Sequence, residues 1–285
     1  MQLVFDAVAG AAALVALIVA YWRLSGAIAA LDRIKAQVEE TRVFNEPFRA
    51  AGAQIGGERA AIQLAGVRAI AGLADDWPEY RQACVAVLCA YLRVPNSPDT
   101  GPGSPPEERL QVGSARDGRC VVLKIITAHL RPTAEVSWRS LDFDFTGVVF
   151  DGGDFSGAEF SGGEVSFAGV EFPGGEVSFA GARFSGGEVS FAGARFSGAQ
   201  AGFAGAEFSG SQVSFTEAEF SAGKVSFAGA EFTGGEVEFR RAKFTGGEVS
   251  FHLLPPLLFE HPAAELSVDD SAQLCEDRRQ PGHIA

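Results

Sequence analysis

The sequence predicts an α plus β-solenoid chain: an N-terminal transmembrane helix, a small all-α region and a C-terminal β-solenoid. Three observations carry this reading. Residues 7–22 (A-V-A-G-A-A-A-L-V-A-L-I-V-A-Y-W) are unbroken by charge. Apolar residues recur at helical spacing between Glu58 and Val94. Phe155 to Ser250 reads as eight consecutive 12-residue units, each starting at Phe. Self-similarity at a fixed period marks a repeat architecture rather than an enzyme core.

The leading segment (1–23) approaches the ~20 apolar residues that a spanning helix needs. Asp6 is the only charge between Gln2 and Trp22. Tyr21 and Trp22 stand where an interfacial aromatic belt would, and Arg23, Arg33, Lys35 and Arg42 follow. No Lys or Arg precedes the segment, so the positive-inside rule places the rest of the chain in the cytoplasm. A cleaved signal peptide would want a basic leading region, and a core helix is seldom apolar on every face. Residues 2–22 are therefore expected to hold the protein in the cell membrane as a single-pass anchor.

Residues 24–94 are expected to form a helical neck and a helix pair. Ile28, Leu31, Ile34 and Val38 fall at 3–4 spacing. That stripe suits either a short coiled coil, which would make a homodimer, or a helix packed on the next domain. Pro47 is expected to end or kink it. Glu58–Leu73 carries the stripe Ile62, Val67, Ile70 and Leu73. Pro78–Val94 places Tyr80, Cys84, Val87, Leu88, Tyr91 and Leu92 on one face. Pro78 suits the first turn of that second helix. Together they resemble one HEAT-like or armadillo-like unit. Residues 95–114 open with P-N-S-P-D-T-G-P-G-S and read as a linker. A third helix is expected within 115–136, ended by Arg131-Pro132, with Trp138 covering the end of the solenoid.

The four Cys (84, 89, 120 and 275) contain no C-x-x-C pair and read as reduced thiols of a cytosolic domain. The net charge of −13 argues against a direct nucleic-acid-binding surface, which would show a basic patch. His129, His252, His261 and His283 make no metal spacing. Asp142, Asp144, Asp151 and Asp154 are dense but fit no EF-hand loop. No Ser-His-Asp, Cys-His or nucleotide motif is present, so the sequence points to no enzyme, catalytic residue, metal or cofactor.

In the repeat, each unit has a second Phe five residues after its first. As one long strand, V-S-F-A-G-A-E-F would place Glu171 and Phe167 on the same face, which is not a half-buried strand. If the chain instead turns at Ala-Gly, V-S-F and A-x-F become two short strands with consistent inward positions. The inward core is then Phe145, Phe150, Phe155, Phe160, Phe167, Phe172, Phe179, Phe184, Phe191, Phe196, Phe203, Phe208, Phe215, Phe220, Phe227, Phe232, Phe239 and Phe244. Two units are expected per coil, since one flattened 12-residue turn leaves little room for stacked rings. At ~4.8 Å per coil, four to five coils make a rod of roughly 20–25 Å.

The pentads A-R-F-S-G (182–186), A-R-F-S-G (194–198), A-E-F-S-G (206–210) and V-S-F-A-G resemble those of the pentapeptide-repeat family. The resemblance implies a right-handed, four-sided β-helix over residues 137–255. This chain departs from the pattern by an extra Gly-Glu pair in most units, such as Gly187-Glu188. The wider layout is similar to actinobacterial membrane-anchored pentapeptide-repeat proteins. L-A-G-V-R-A-I-A-G-L-A-D-D-W (64–77), V-L-C-A-Y-L-R-V-P (87–95) and S-W-R-S-L-D-F-D-F-T-G-V-V-F-D-G-G-D-F-S-G-A-E-F (137–160) carry that likeness. It implies architecture and no activity.

Glu164, Glu176, Glu188, Glu236 and Glu248 recur at the same corner of their units and are expected to form one acidic line, a candidate interaction edge. Asp142 to Ser250 holds 16 acids against six bases. Phe251-His-Leu-Leu-Pro-Pro-Leu-Leu-Phe259 breaks the pattern and is expected to fold over the open end. Glu260–Ala285 is polar, and residues 256–285 are expected to form a disordered tail. The reading is a non-catalytic, membrane-anchored scaffold that binds a protein partner the sequence does not specify. The alternative is a duplex-DNA mimic acting on a type II topoisomerase (gyrase), as the family resemblance implies.

Overall fold

The computed structural model describes residues 39, 41–57, 59–94, 106–250 and 266–268. The expected transmembrane helix, most of the neck, residues 95–105 and residues 251–265 lie outside the described residues. Among the described residues, no helix is long and apolar enough to cross a membrane. The chain divides into two units, residues 1–50 and 51–285.

In the first unit, residues 41–50 are helical through Pro47, so the proline does not end the helix. Its fixed φ is already helical, and only the bond to the carbonyl four residues back is lost. Phe44 and Phe48 lie one turn apart and stack at 5.2 Å.

In the second unit, α1 (Ala60–Asp76) buries Val67, Ile70, Ala71 and Ala74. Gly66 lets the helical residues 51–55 come close: a Cβ there would sit 2.7 Å from the Ala51 carbonyl oxygen. Pro78 starts a short 3-10 turn (Pro78–Tyr80) that leads into α2 (Arg81–Arg93). That helix buries Cys84, Val85, Leu88, Cys89 and Leu92. The expected face included Val87 and Tyr91 and omitted Val85 and Cys89. The difference arises because α2 packs on α1 and also on the first strand, Phe143–Asp144. Two neighbours bury a wider arc than one.

The third helix, α3, runs over Pro106–Leu130, so residues 106–114 are not linker. Proline at the first helical position, followed by Glu107 and Glu108, is a helix start. The Pro- and Gly-rich composition just before it masks that signal. α3 buries Val122, Leu123, Ile126 and Leu130.

From Phe143 onward every strand pair is parallel. Val165 pairs with Val189, Val189 with Val213, and Val213 with Val237. Each step is 24 residues, so one coil holds two of the 12-residue units. The first coil is shorter: Phe143 pairs with Val165 and Val149 with Glu171, each 22 residues on. Phe145, Phe150, Phe155 and Phe160 are five apart, so this coil lacks the two extra residues at one of its corners. The result is a β-solenoid of about four turns.

The rings form four columns. The first side stacks Phe145, Phe167, Phe191, Phe215 and Phe239. The second stacks Phe150, Phe172, Phe196, Phe220 and Phe244. The third holds Phe155, Phe179, Phe203 and Phe227. The fourth holds Phe160, Phe184, Phe208 and Phe232. Phe167 and Phe191 lie 4.7 Å apart and nearly parallel, the spacing that parallel strands impose. First-side and third-side rings also meet edge to face, as Phe179 does with Phe167 at 5.6 Å and with Phe191 at 5.9 Å. The interior is therefore filled with side chains.

Of the tail 256–285 only residues 266–268 are described, and the rest lies outside the described residues. Leu266–Val268 adds a parallel strand to Val237–Phe239. The end strand offers unpaired backbone groups, and L-S-V repeats the apolar-Ser-apolar spacing of V-S-F.

Candidate interaction surface

With two units per coil, equivalent corners of successive units fall on opposite edges of the rod. The single acidic line expected from the sequence is therefore two lines. One edge carries Glu164, Glu188, Gln212 and Glu236 in register. The other carries Glu176, Gln200, Lys224 and Glu248. On the second edge Lys224 pairs with Glu248 at 3.1 Å, so the two edges differ in charge. Glu164 and Glu188 are exposed neighbours, one strand spacing apart, with no ion pair among the described residues.

Charge is also organised on two sides. At the residue before each second Phe, Glu171, Arg195, Glu219 and Lys243 alternate in sign up the second side. Arg195 bonds Glu171 at 3.1 Å, and Lys243 bonds Glu219 at 2.8 Å. On the fourth side Arg139, Glu159, Arg183 and Glu207 do the same, and Glu231 follows Glu207 in register. The Lys243 ammonium bonded to Glu219 holds that carboxyl below its ordinary range. Bonding to Glu207 likewise raises the Arg183 guanidinium. The first and third sides instead present small residues such as Ser166, Ser190 and Ser214, in register. This pattern was readable: the signs over successive units run E, E, R, R, E, E, E, K and alternate at a separation of two units except from Glu207 to Glu231.

The sequence-identified Phe residues from 145 to 227 are buried, as is Phe239. Phe232 and Phe244, near the end of the described array, are half-buried. The dense aspartates do not converge on a metal. The Asp142 carboxylate accepts the Glu164 N–H, while Asp144 pairs with Arg93 and accepts the Thr146 N–H. Asp154 accepts the Ser156 N–H at 3.0 Å and lies 3.8 Å from Arg131. Hydrogen bonds from Ser156 hold the Asp154 carboxyl below its ordinary range. Among the described residues no group of three or more His, Cys, Asp or Glu could hold a metal ion.

Sequence reasoning missed the joint between helices and solenoid. Gln82 imitates a strand: its side-chain amide donates to the Asp142 carbonyl and accepts the Asp142 N–H, both at 3.0 Å. Arg119 donates to the Leu92, Val94 and Val149 carbonyls, tying α2, α3 and the first coil together. Trp138 is fully buried but faces the helices rather than lying across the solenoid end. Its ring stacks on His129 at 4.0 Å and its N–H donates to Asp75 at 3.2 Å. Cys84 and Cys89 are buried thiols, pushed up to about 11 and about 12 by burial, and Cys120 is exposed.

A parallel solenoid of short strands with four inward Phe columns is a repeat architecture. Residues 145–195 match the family model described as pentapeptide repeats (9 copies). That stretch is a pentapeptide-repeat array, with 24-residue coils in place of four bare pentads. No curated protein and no solved structure matches the chain.

Proposed function

We propose that this chain is a non-catalytic protein-interaction scaffold, held at the cell membrane by residues 2–22, with the solenoid on the cytoplasmic side. The observation that carries the reading is the filled interior. Phe columns occupy the space within the coils, so binding specificity belongs to outward positions. Among these, the Glu164–Glu188 edge is the strongest candidate contact, because its carboxylates are not neutralised by neighbours. Most other glutamates of the array are: Glu159, Glu171, Glu207, Glu217, Glu219, Glu238 and Glu248 each pair with Arg or Lys. Such pairing reduces the free negative charge that a duplex-DNA mimic would need, so the gyrase-directed alternative is the weaker reading.

A photo-cross-linking residue placed at Glu188 of the full chain is expected to capture one protein from native membranes, whereas the same residue at Ser190 gives no adduct. Equal adducts from both positions would remove the edge from the proposal. Resistance of the full chain to carbonate extraction tests the anchor. Undiminished gyrase supercoiling in the presence of excess protein would dispose of the DNA-mimic alternative.

A further inference from the structure

The first coil is two residues short at one corner, and α3 packs beside that corner. Between them lies a cleft of about 430 Å³, within the range of small-molecule sites. Its walls are the outward face of α3, the turn after it, and the backbone of Gly152-Gly153. In later coils the position equivalent to Gly153 is Val177, Ala201 or Val225. A Cβ on Gly153 would lie 3.5 Å from Phe155 Cε2 and 3.7 Å from Leu123 Cδ1, both ordinary contacts, so crowding does not require glycine there.

The lining is chemically biased. Leu123, Ala128 and Ala134 supply an apolar floor, and Lys124 and Arg131 stand against a single carboxylate, Asp154. Two cations and one anion leave one positive charge, on a chain whose net charge is −13. Lys124 has no ion-pair partner among the described residues, whereas Arg131 is 3.8 Å from Asp154. We infer that this cleft binds a small organic monoanion: an aliphatic carboxylate with its chain over Leu123 and Ala128 and its head on Lys124 and Arg131. This inference is independent of the solenoid's interaction role, since the cleft lies between α3 and the first coil and includes neither Glu164 nor Glu188.

Cys120 lines the same cleft and is exposed, which supplies a built-in reporter. Iodoacetamide alkylation of the full chain, read by peptide mass mapping at Cys120, is expected to be rapid without ligand. It should slow saturably with octanoate and not with octanol or octylamine at equal concentration. Lys124→Glu is expected to weaken octanoate protection about tenfold or more, the worth of one charge-assisted hydrogen bond. Ala128→Phe should fill the cleft, so that octanoate gives no further protection. The inference is overturned if octanoate fails to protect Cys120, if octanol protects equally, or if Lys124→Glu leaves the protection unchanged.

Discussion

Phe191 and Arg119 represent two regions that are held together by different means. Around Phe191 the neighbours are copies of the same position: Phe167 and Phe215 lie one coil below and above, at 4.7 and 4.8 Å. Around Arg119 nothing repeats. One guanidinium reaches carbonyls from two separate segments, and its partners Leu92 and Val149 are 27 and 30 residues away. The stack is redundant and apolar; the joint is unique and polar. In the stack a coil can lean on either neighbour, as nearest-neighbour solenoids do. At the joint one Arg119 guanidinium serves three carbonyls, and no second copy stands by.

The largest expected effect breaks the redundant region. Phe191→Ala removes a ring that stacks on two others and meets Phe179 and Phe203 edge to face. It should cost about 3–5 kcal/mol in urea denaturation of the full chain. Next comes a pair of glycines that separates turn geometry from crowding. Gly187 (φ +76°) and Gly193 (φ +65°) both lie in the left-handed region, but only a Cβ at Gly187 would strike backbone, 2.0 Å from the Gly163 oxygen. Gly187→Ala should cost roughly 3 kcal/mol, the upper range for strained backbone, and Gly193→Ala about 1 kcal/mol. Equal losses would mean that crowding plays no part.

Arg119→Met probes the joint. It leaves the Leu92, Val94 and Val149 carbonyls without this donor and should cost about 1–3 kcal/mol. A loss as large as that of Phe191→Ala would show the joint, rather than the stack, to be the weak point. A gain is expected at Glu217, which holds φ +59° where the equivalent positions of earlier coils are glycine. Glu217→Gly should stabilise by about 1 kcal/mol, because the exposed pair with Arg241 is worth less than the strain relieved. The smallest effect concerns Asp154. Its carboxyl titrates lower in the folded chain than the ordinary ~3.9, so its contribution is present above that value and lost as pH falls through the folded one. Wild type and Asp154→Asn should therefore differ in Tm at pH 7 and converge once the pH has fallen through the lowered range of the folded carboxyl.

These two regions were also unequally legible. The solenoid could be read because its constraints are local and repeated: Phe five residues after Phe, glycine at most tight corners, and small residues two before the ring. Even the two-unit coil was written in the sequence, in Arg183 and Arg195 standing between pairs of glutamates. The joint could not be read. Nothing in the residues around Gln82 marks it as a strand surrogate for Asp142, 60 positions away. Arg119 likewise has no local feature that distinguishes it from Arg116. The helix start at Pro106 was obscured because proline signals both a linker and a first helical turn. Glu176 and Glu188 hold the same place in their units, but the two-unit coil expected from ring packing already puts successive units on opposite edges, so a single line did not follow from the sequence.

The two-unit coil has a consequence for how such an array can change length. Each unit advances the chain by half a revolution, so gaining or losing one unit turns everything beyond it to the opposite side. An odd change would bring the Glu171–Lys243 series under the strands that now carry Glu159–Glu231, and the free acidic edge would change hands partway along the rod. An even change leaves every downstream residue facing as before. Parity of the unit count, more than rod length, therefore decides whether a binding edge survives duplication or deletion.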